Sequence, residues 1–127
     1  MSKTSVYAII LKLSPEFTAE ISLPGVLGAV TDAARAGRPS TVQTLVALGQ
    51  TEKFARAFVE RLGYLLRLQQ AGILRGAGPF EDLKEGMYLC NATDEHEARQ
   101  VVEQDPLYRA GFIESEFTLR RWRVAIE

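Results

Sequence analysis

Residues 6–13 form a run whose side chains would be apolar on both faces of an extended strand. The run is rich in β-branched residues and ends before Pro15, a pattern that predicts a β-strand. Because side chains alternate along a strand, Ile9 would lie on one face and Ala8 and Ile10 on the other. A strand that is apolar on both sides is typical of the centre of a sheet whose two faces are both covered.

The rest of the sequence predicts a regular order of helices and strands. Helical spacing of apolar residues, with glycine and proline beside them, indicates two short helices within residues 14–50. The later segments are predicted as helix, strand, strand, helix and strand, at residues 52–71, 72–80, 86–92, 95–104 and 112–124. With the first strand, this is the βαββαβ order of an α+β ferredoxin-like fold with an antiparallel sheet. We expect one domain over residues 1–127, with a helical insertion at about 14–50.

The second face of the predicted sheet needs a cover. In the ferredoxin-like fold both helices lie on one face, and the other face would meet water in a monomer. A second copy of the chain would cover it with its own sheet, and two-fold dimers are the commonest protein oligomers. The insertion at residues 14–50 is the alternative cover. We therefore expect a homodimer in which sheet faces sheet.

Composition disfavours several classes of partner and cofactor. Fifteen Lys and Arg against sixteen Asp and Glu give a net charge of −1, which disfavours a nucleic-acid partner. No apolar run reaches the roughly 18 residues of a membrane span, and the N-terminus lacks a signal-peptide cleavage site, so we expect a cytoplasmic protein with no membrane partner. Cys90 and His96 are each the only residue of their type, which predicts no disulfide and no metal site. No helix is predicted after the glycines of residues 76–79, so no nucleotide cofactor is expected.

Several segments carry a pattern that is familiar in combination. They are YAII at residues 7–10, LLRLQQAGIL at 65–74, GAGP at 76–79, DPLYRAG at 105–111 and RWRV at 121–124. Together they resemble the YciI-like (YCII-related) family. The resemblance implies a dimeric α/β-barrel related to the ferredoxin-like fold. Members of this family mostly lack a defined role, and some act on small aromatic or ring-containing metabolites, including dehydrochlorination of a chlorinated hydroquinone.

The sequence departs from the family pattern in two places. The family usually has a short connection between the first strand and the first helix, whereas here residues 14–50 separate them. The first helix of the family usually carries a His three residues before a Tyr-Leu pair, and that His pairs with the Asp of the Asp-Pro segment. Here Arg61 stands three residues before Tyr64, and Asp105 is the one member of the pair that is present.

Asp105 and Arg61 are the main candidate site residues. The resemblance implies that Asp105 is a catalytic group that transfers a proton, and the alternative is an Asp that ends a helix before Pro106 through a local turn. Arg61 is expected to bind an anion through its planar guanidinium, unless it is a solvated arginine on the helix surface. Because a neighbouring Arg lowers the pKa of an Asp, Asp105 is expected to be ionised at neutral pH and to be a weak base.

Three aromatic residues are candidates for the walls of a ligand pocket: Tyr64, Tyr108 and Trp122. Such side chains combine a large apolar surface with a polar tip, which suits ligand binding. The alternative is packing in the core or in an interface, where the same property is useful.

Two functions are compatible with these residues and stay open here. The first is a small cofactor-free enzyme of the lyase, dehydrochlorinase or isomerase type, acting through Asp105 on a small, anionic, ring-containing metabolite. The second is a non-catalytic dimeric module, ligand-binding or accessory, that has lost the family His. An anion bound beside Asp105 would favour the enzyme. A pocket filled by side chains of residues 14–50 would favour the module.

Overall fold

The computed structural model describes residues 4–37 and 40–126 of the chain. Within them, the elements in chain order are β1 (Ser5–Leu13), α1 (Pro15–Ile21), α2 (Val26–Arg35), α3 (Val42–Ala47), α4 (Glu52–Gln70), β2 (Leu74–Pro79), β3 (Glu85–Ala92), α5 (Glu95–Glu103), α6 (Pro106–Arg109) and β4 (Ile113–Trp122). Each of these helices is too short or too polar to span a membrane.

The four strands form one antiparallel sheet in the order β2-β3-β1-β4. The apolar strand β1 therefore lies in the centre, between β3 and β4, as its two apolar faces predict. With α4 and α5 following β1 and β3 in the chain, the architecture is the α+β, ferredoxin-like one. The predicted fold class is confirmed.

The strand register decides which side chains face the helices. Ile9 of β1 pairs with Tyr88 of β3 and with Leu119 of β4, so the three side chains lie on the same face of the sheet. This face is covered by the helices, and α5 packs on both β3 and β4. Phe117 of β4 pairs with the buried Leu11 and lies on this same face.

The opposite face of the sheet, which we call the open sheet face, is apolar at its centre. Its central residues are half-buried: Val6, Ala8, Ile10, Met87 and Leu89. The insertion packs elsewhere, because α3 contacts α4 and Phe17 of α1 contacts the α4 ring Phe54. Of the two covers that the sequence suggests, the insertion thus lies on the helix side.

In its described residues, 14–37 and 40–50, the insertion contains three helices rather than the two that its periodicity predicts. The helices α2 and α3 are at the predicted places, and α1 is the one that the sequence prediction missed. Its start is well defined, because Ser14 accepts a hydrogen bond from the Phe17 amide at 3.1 Å and Pro15 occupies the first helical position. With only seven residues, α1 repeats its buried face just once, at Phe17 and Ile21, and offers too little periodicity to detect.

Candidate functional site

The helix α4 directs Arg61 toward the core of the protein. Phe54 and Phe58 precede Arg61 by seven and three residues, a spacing that places all three on one helix face. Arg61 lies at the end of this apolar face and is 7% exposed. It is therefore a buried arginine and not one on a solvated helix surface.

Asp105 is held by the short helix α6, which the sequence prediction did not include. Pro106 occupies the first helical position, and Asp105 is the N-cap, with its Oδ1 accepting a hydrogen bond from the Leu107 amide at 2.8 Å. The Asp105 side chain is 0% exposed. The structure contains the local turn before Pro106 that is one of the two interpretations of Asp105, and it also places Asp105 in contact with Arg61.

Arg61, Tyr88 and Asp105 form one buried network. Arg61 Nε donates to Asp105 Oδ2 at 3.2 Å. Arg61 Nε and Nη2 also donate to the Tyr88 hydroxyl oxygen, at 3.3 and 3.2 Å, and the Tyr88 hydroxyl donates to Asp105 Oδ2. Tyr88 is fully buried in β3. Sequence analysis missed its role, although a tyrosine on the covered face of a central strand needs a buried partner for its hydroxyl.

Burial has the largest effect on the charges of this network. Burial raises the pKa of Asp105, while the charge of Arg61 and the amides of Leu107 and Tyr108 act in the opposite direction. The sequence-based expectation of a lowered pKa is therefore wrong in sign, because it counted the arginine and not the loss of water around the carboxyl. Burial likewise lowers the pKa of Arg61, and Asp105 opposes this effect.

Phe17 of the insertion covers the network from the side of α1. The ring centroid of Phe17 is 5.9 Å from Arg61 Cζ, and Phe17 itself is 1% exposed. Its ring packs edge-to-face against Phe54 and Phe58 of α4, at centroid distances of 5.5 and 6.5 Å. Arg61 is thus flanked by an aromatic side chain that belongs to residues 14–50.

The three aromatic candidates lie at different places. Tyr64 donates its hydroxyl to the Val101 carbonyl at 2.7 Å, and burial together with the charge of Asp105 raises its pKa to about 12. Tyr108 packs edge-to-face on Phe117 at 6.1 Å, next to the network in the chain but directed at β4. Trp122 is 44% exposed and pairs with Val6, which places it on the open sheet face, away from Arg61 and Asp105.

The described residues offer no evident metal centre. Within residues 4–37 and 40–126, His, Cys, Asp and Glu side chains nowhere form a group of three or more that could hold a metal ion. Cys90 is buried, and burial raises the pKa of its thiol to about 11. His96 is exposed on α5, where its ring contacts Gln100.

A model of the YCII-related domain matches residues 33–123, which is more than half of the chain. The chain belongs to the YCII-related family. The match begins within α2 and so leaves out β1, which the sequence resemblance had included. The uncharacterised protein YjpA of Bacillus subtilis (strain 168) is 36% identical over 76 residues, which cover 59% of this chain and 87% of YjpA.

A solved structure was also found by comparison of folds. It is 5-chloro-2-hydroxyhydroquinone dehydrochlorinase (TftG) from Burkholderia phenoliruptrix AC1100, in complex with 2,5-dihydroxybenzoquinone. This chain is similar to that structure with a TM-score of 0.48 and 19% sequence identity, and the alignment covers 93% of each chain.

Proposed function

We propose that this YCII-related chain is a non-catalytic, dimeric module that binds a small molecule, and that its Arg61–Asp105 pair stabilises the fold. One observation carries the proposal: the pair is buried, and Phe17 of the insertion packs beside Arg61. A general base has to reach the proton that it removes, at about 2.6–3.2 Å. With Asp105 fully buried, a substrate would first have to displace the side chains that cover it.

The exchange of the family His for Arg61 supports the same proposal. Arginine keeps its proton in proteins, so Arg61 cannot act as the base that a histidine provides. Its Nε and Nη2 groups already donate to Asp105 and Tyr88. The guanidinium is therefore engaged inside the protein, and we propose for it the role of an internal counter-ion rather than a clamp for an external anion.

The dimer is the second part of the proposal. The open sheet face is apolar at its centre, and its occupant is proposed to be the same face of a second copy. Stable interfaces of this kind usually bury more than about 2,000 Å² in total. Sedimentation velocity at micromolar concentration should give a dimer for the native chain and a monomer for Ile10→Asp. The control Leu27→Asp changes an exposed residue of α2 and should remain dimeric. A monomeric native chain would refute this part.

A second candidate function is an enzyme of the lyase, dehydrochlorinase or isomerase type. The observation that favours it is the raised pKa of Asp105, since shifted carboxyl groups concentrate at functional sites. In this case Asp105 would move a proton and Arg61 would bind a small anionic ring compound after Phe17 had moved. Tyr64 and Tyr108 would contact the ligand from the helix side, whereas Trp122 lies on the open sheet face and would not reach it.

Turnover and stability of the same variants separate the two functions. The native chain and Asp105→Asn are incubated with chlorinated hydroquinones and aromatic acids, and both are unfolded with urea. If the chain is a non-catalytic module, we expect no turnover by either protein and a large loss in the free energy of unfolding in Asp105→Asn. The enzyme predicts turnover by the native chain that is lost in a variant of nearly native stability, and this result would overturn our proposal. Calorimetry of the same acids with Arg61→Ala tests the anion clamp, which predicts loss of binding.

A further inference from the structure

A cleft of about 440 Å³ opens between α2, the second half of α4 and β2. Its walls are mainly apolar, with Val30 and Ala34 on α2, Leu62 and Leu65 on α4 and Leu74 on β2. Small-molecule sites typically have volumes of about 300–1,000 Å³ and mainly apolar walls with a few polar groups. This cleft lies on the helix side of the sheet, so it is separate from the open sheet face. It is also distinct from the Arg61–Asp105 pair, which does not line it.

Ser40 is the buried polar residue of the cleft, whereas Gln69 and Arg75, which also line it, are exposed. Ser40 lines the cleft and is 6% exposed. Its hydroxyl has no hydrogen-bond partner among the residues that the structure describes. A buried hydroxyl without a partner is unfavourable, and native proteins supply a partner in nearly every case. A ligand in the cleft would supply the missing hydrogen bond.

We propose that this cleft binds a small, uncharged aromatic molecule that carries one hydroxyl or carbonyl group. The inference rests on the proposed binding function and names the cleft as the place where the ligand binds. Apart from Ser40, the buried and half-buried residues of the cleft are apolar, and they disfavour a highly charged ligand because its charges would lose water there. Ser40 can both donate and accept a hydrogen bond, so either a hydroxyl or a carbonyl group satisfies it.

The insertion has two effects under this proposal. Phe17 of α1 packs beside Arg61, and Val30 and Ala34 of α2 form one wall of the new cleft. The same segment therefore contributes both to the buried network and to the cleft. The occupant is proposed to be a small molecule and not a protein segment, because a volume of about 440 Å³ lies in the range of small-molecule sites.

The test uses 2-naphthol and naphthalene as probes, with binding measured by ligand-observed NMR. We expect 2-naphthol to bind the native chain and Ser40→Ala to weaken it roughly three- to tenfold, as for loss of one hydrogen bond. Naphthalene lacks the hydroxyl, so Ser40→Ala should leave its affinity unchanged. Ala34→Trp should fill the cleft and abolish binding of both probes. The matched control Ala36→Trp alters an exposed residue just after α2 and should bind like the native chain.

Leu66→Trp gives a second block from the α4 wall, in case Ala34→Trp does not fold. Equal affinity for 2-naphthol in the native chain and in a folded, cleft-filled variant would show that the ligand does not bind in the cleft. The proposed binding function would not be affected by this result. No binding of 2-naphthol to the native chain would overturn the ligand class. The stability of Asp105→Asn tests the proposed function separately, because Asp105 does not line the cleft.

Discussion

Replacing Asp105 by Asn should be among the most costly single changes in this protein. The substitution preserves the size of the side chain, and Asn caps helices as well as Asp, so the Leu107 amide keeps its acceptor. What it removes is the carboxylate beside Arg61. Because Arg61 is 7% and Asp105 0% exposed, water cannot replace that carboxylate without opening the core.

The expected loss follows from this burial. Breaking a buried ion pair from one side costs about 3–5 kcal/mol, because the remaining charge stays buried without its partner. We therefore expect Asp105→Asn to lower the free energy of unfolding by about 3–5 kcal/mol at pH 8. Adding Arg61→Met removes the unpaired cation. The double variant should therefore lose about 1–3 kcal/mol less than the sum of the two single variants.

The assay is urea unfolding followed by far-UV circular dichroism at one fixed protein concentration, since dimerisation would make stability depend on concentration. Asp94→Asn is the matched control. Asp94 is also an N-cap, accepting from the Glu97 amide at 2.8 Å, but it is exposed. Asp94→Asn should change the free energy of unfolding by no more than about 0.5 kcal/mol. If Asp105→Asn lost no more stability than Asp94→Asn, the network would not be the structural pair that we describe.

Three further outcomes are expected from single residues. Phe17→Ala should lower the free energy of unfolding by about 3–5 kcal/mol in urea, since it leaves a cavity among the rings of α4. Tyr64→Phe should lose about 1 kcal/mol with the hydrogen bond to Val101. Burial raises the pKa of Tyr64 to about 12. The stability that protonated Tyr64 contributes to the fold is therefore complete below pH 10 and is lost as the pH rises toward 12. The free energy of unfolding, measured over a series of pH values, should show this loss in the native chain and not in Tyr64→Phe. With a pKa of about 11 and complete burial, Cys90 should resist a thiol reagent at pH 8 until urea unfolds the protein, and rapid labelling of the folded chain would contradict its placement.

The sequence predicts the sheet and the long helices well because each rests on a strong local pattern. The two apolar faces of β1 require a central position, and the spacing of Phe54 and Phe58 identifies α4. The predicted strand ends differ from the structure by a few residues, since β4 ends at Trp122. The short helices α1 and α6 were missed, because seven and four residues give too few turns for a periodic signal.

The candidate site could be predicted only in part. The family resemblance selects Arg61 and Asp105, but their contact spans 44 residues of sequence and depends on how α4 and α6 pack. The role of Tyr88 was not predicted, because no local sequence pattern indicates that its hydroxyl contacts Arg61 and Asp105. Burial sets the sign of the Asp105 pKa shift, and this burial depends on how the elements pack and not on the neighbouring charge.

The most direct test of our account is hydrogen exchange at the Arg61 Nε–H group, observed by NMR of arginine side chains. Arg56 is the internal control, because its Nε donates to Glu52 on the same helix in an exposed ion pair. We predict that the Arg61 Nε–H exchanges far more slowly than that of Arg56, and that Asp105→Asn removes the difference. Equal exchange of the two groups in the native chain would show that Arg61 is open to solvent, and would contradict a buried structural pair beneath Phe17.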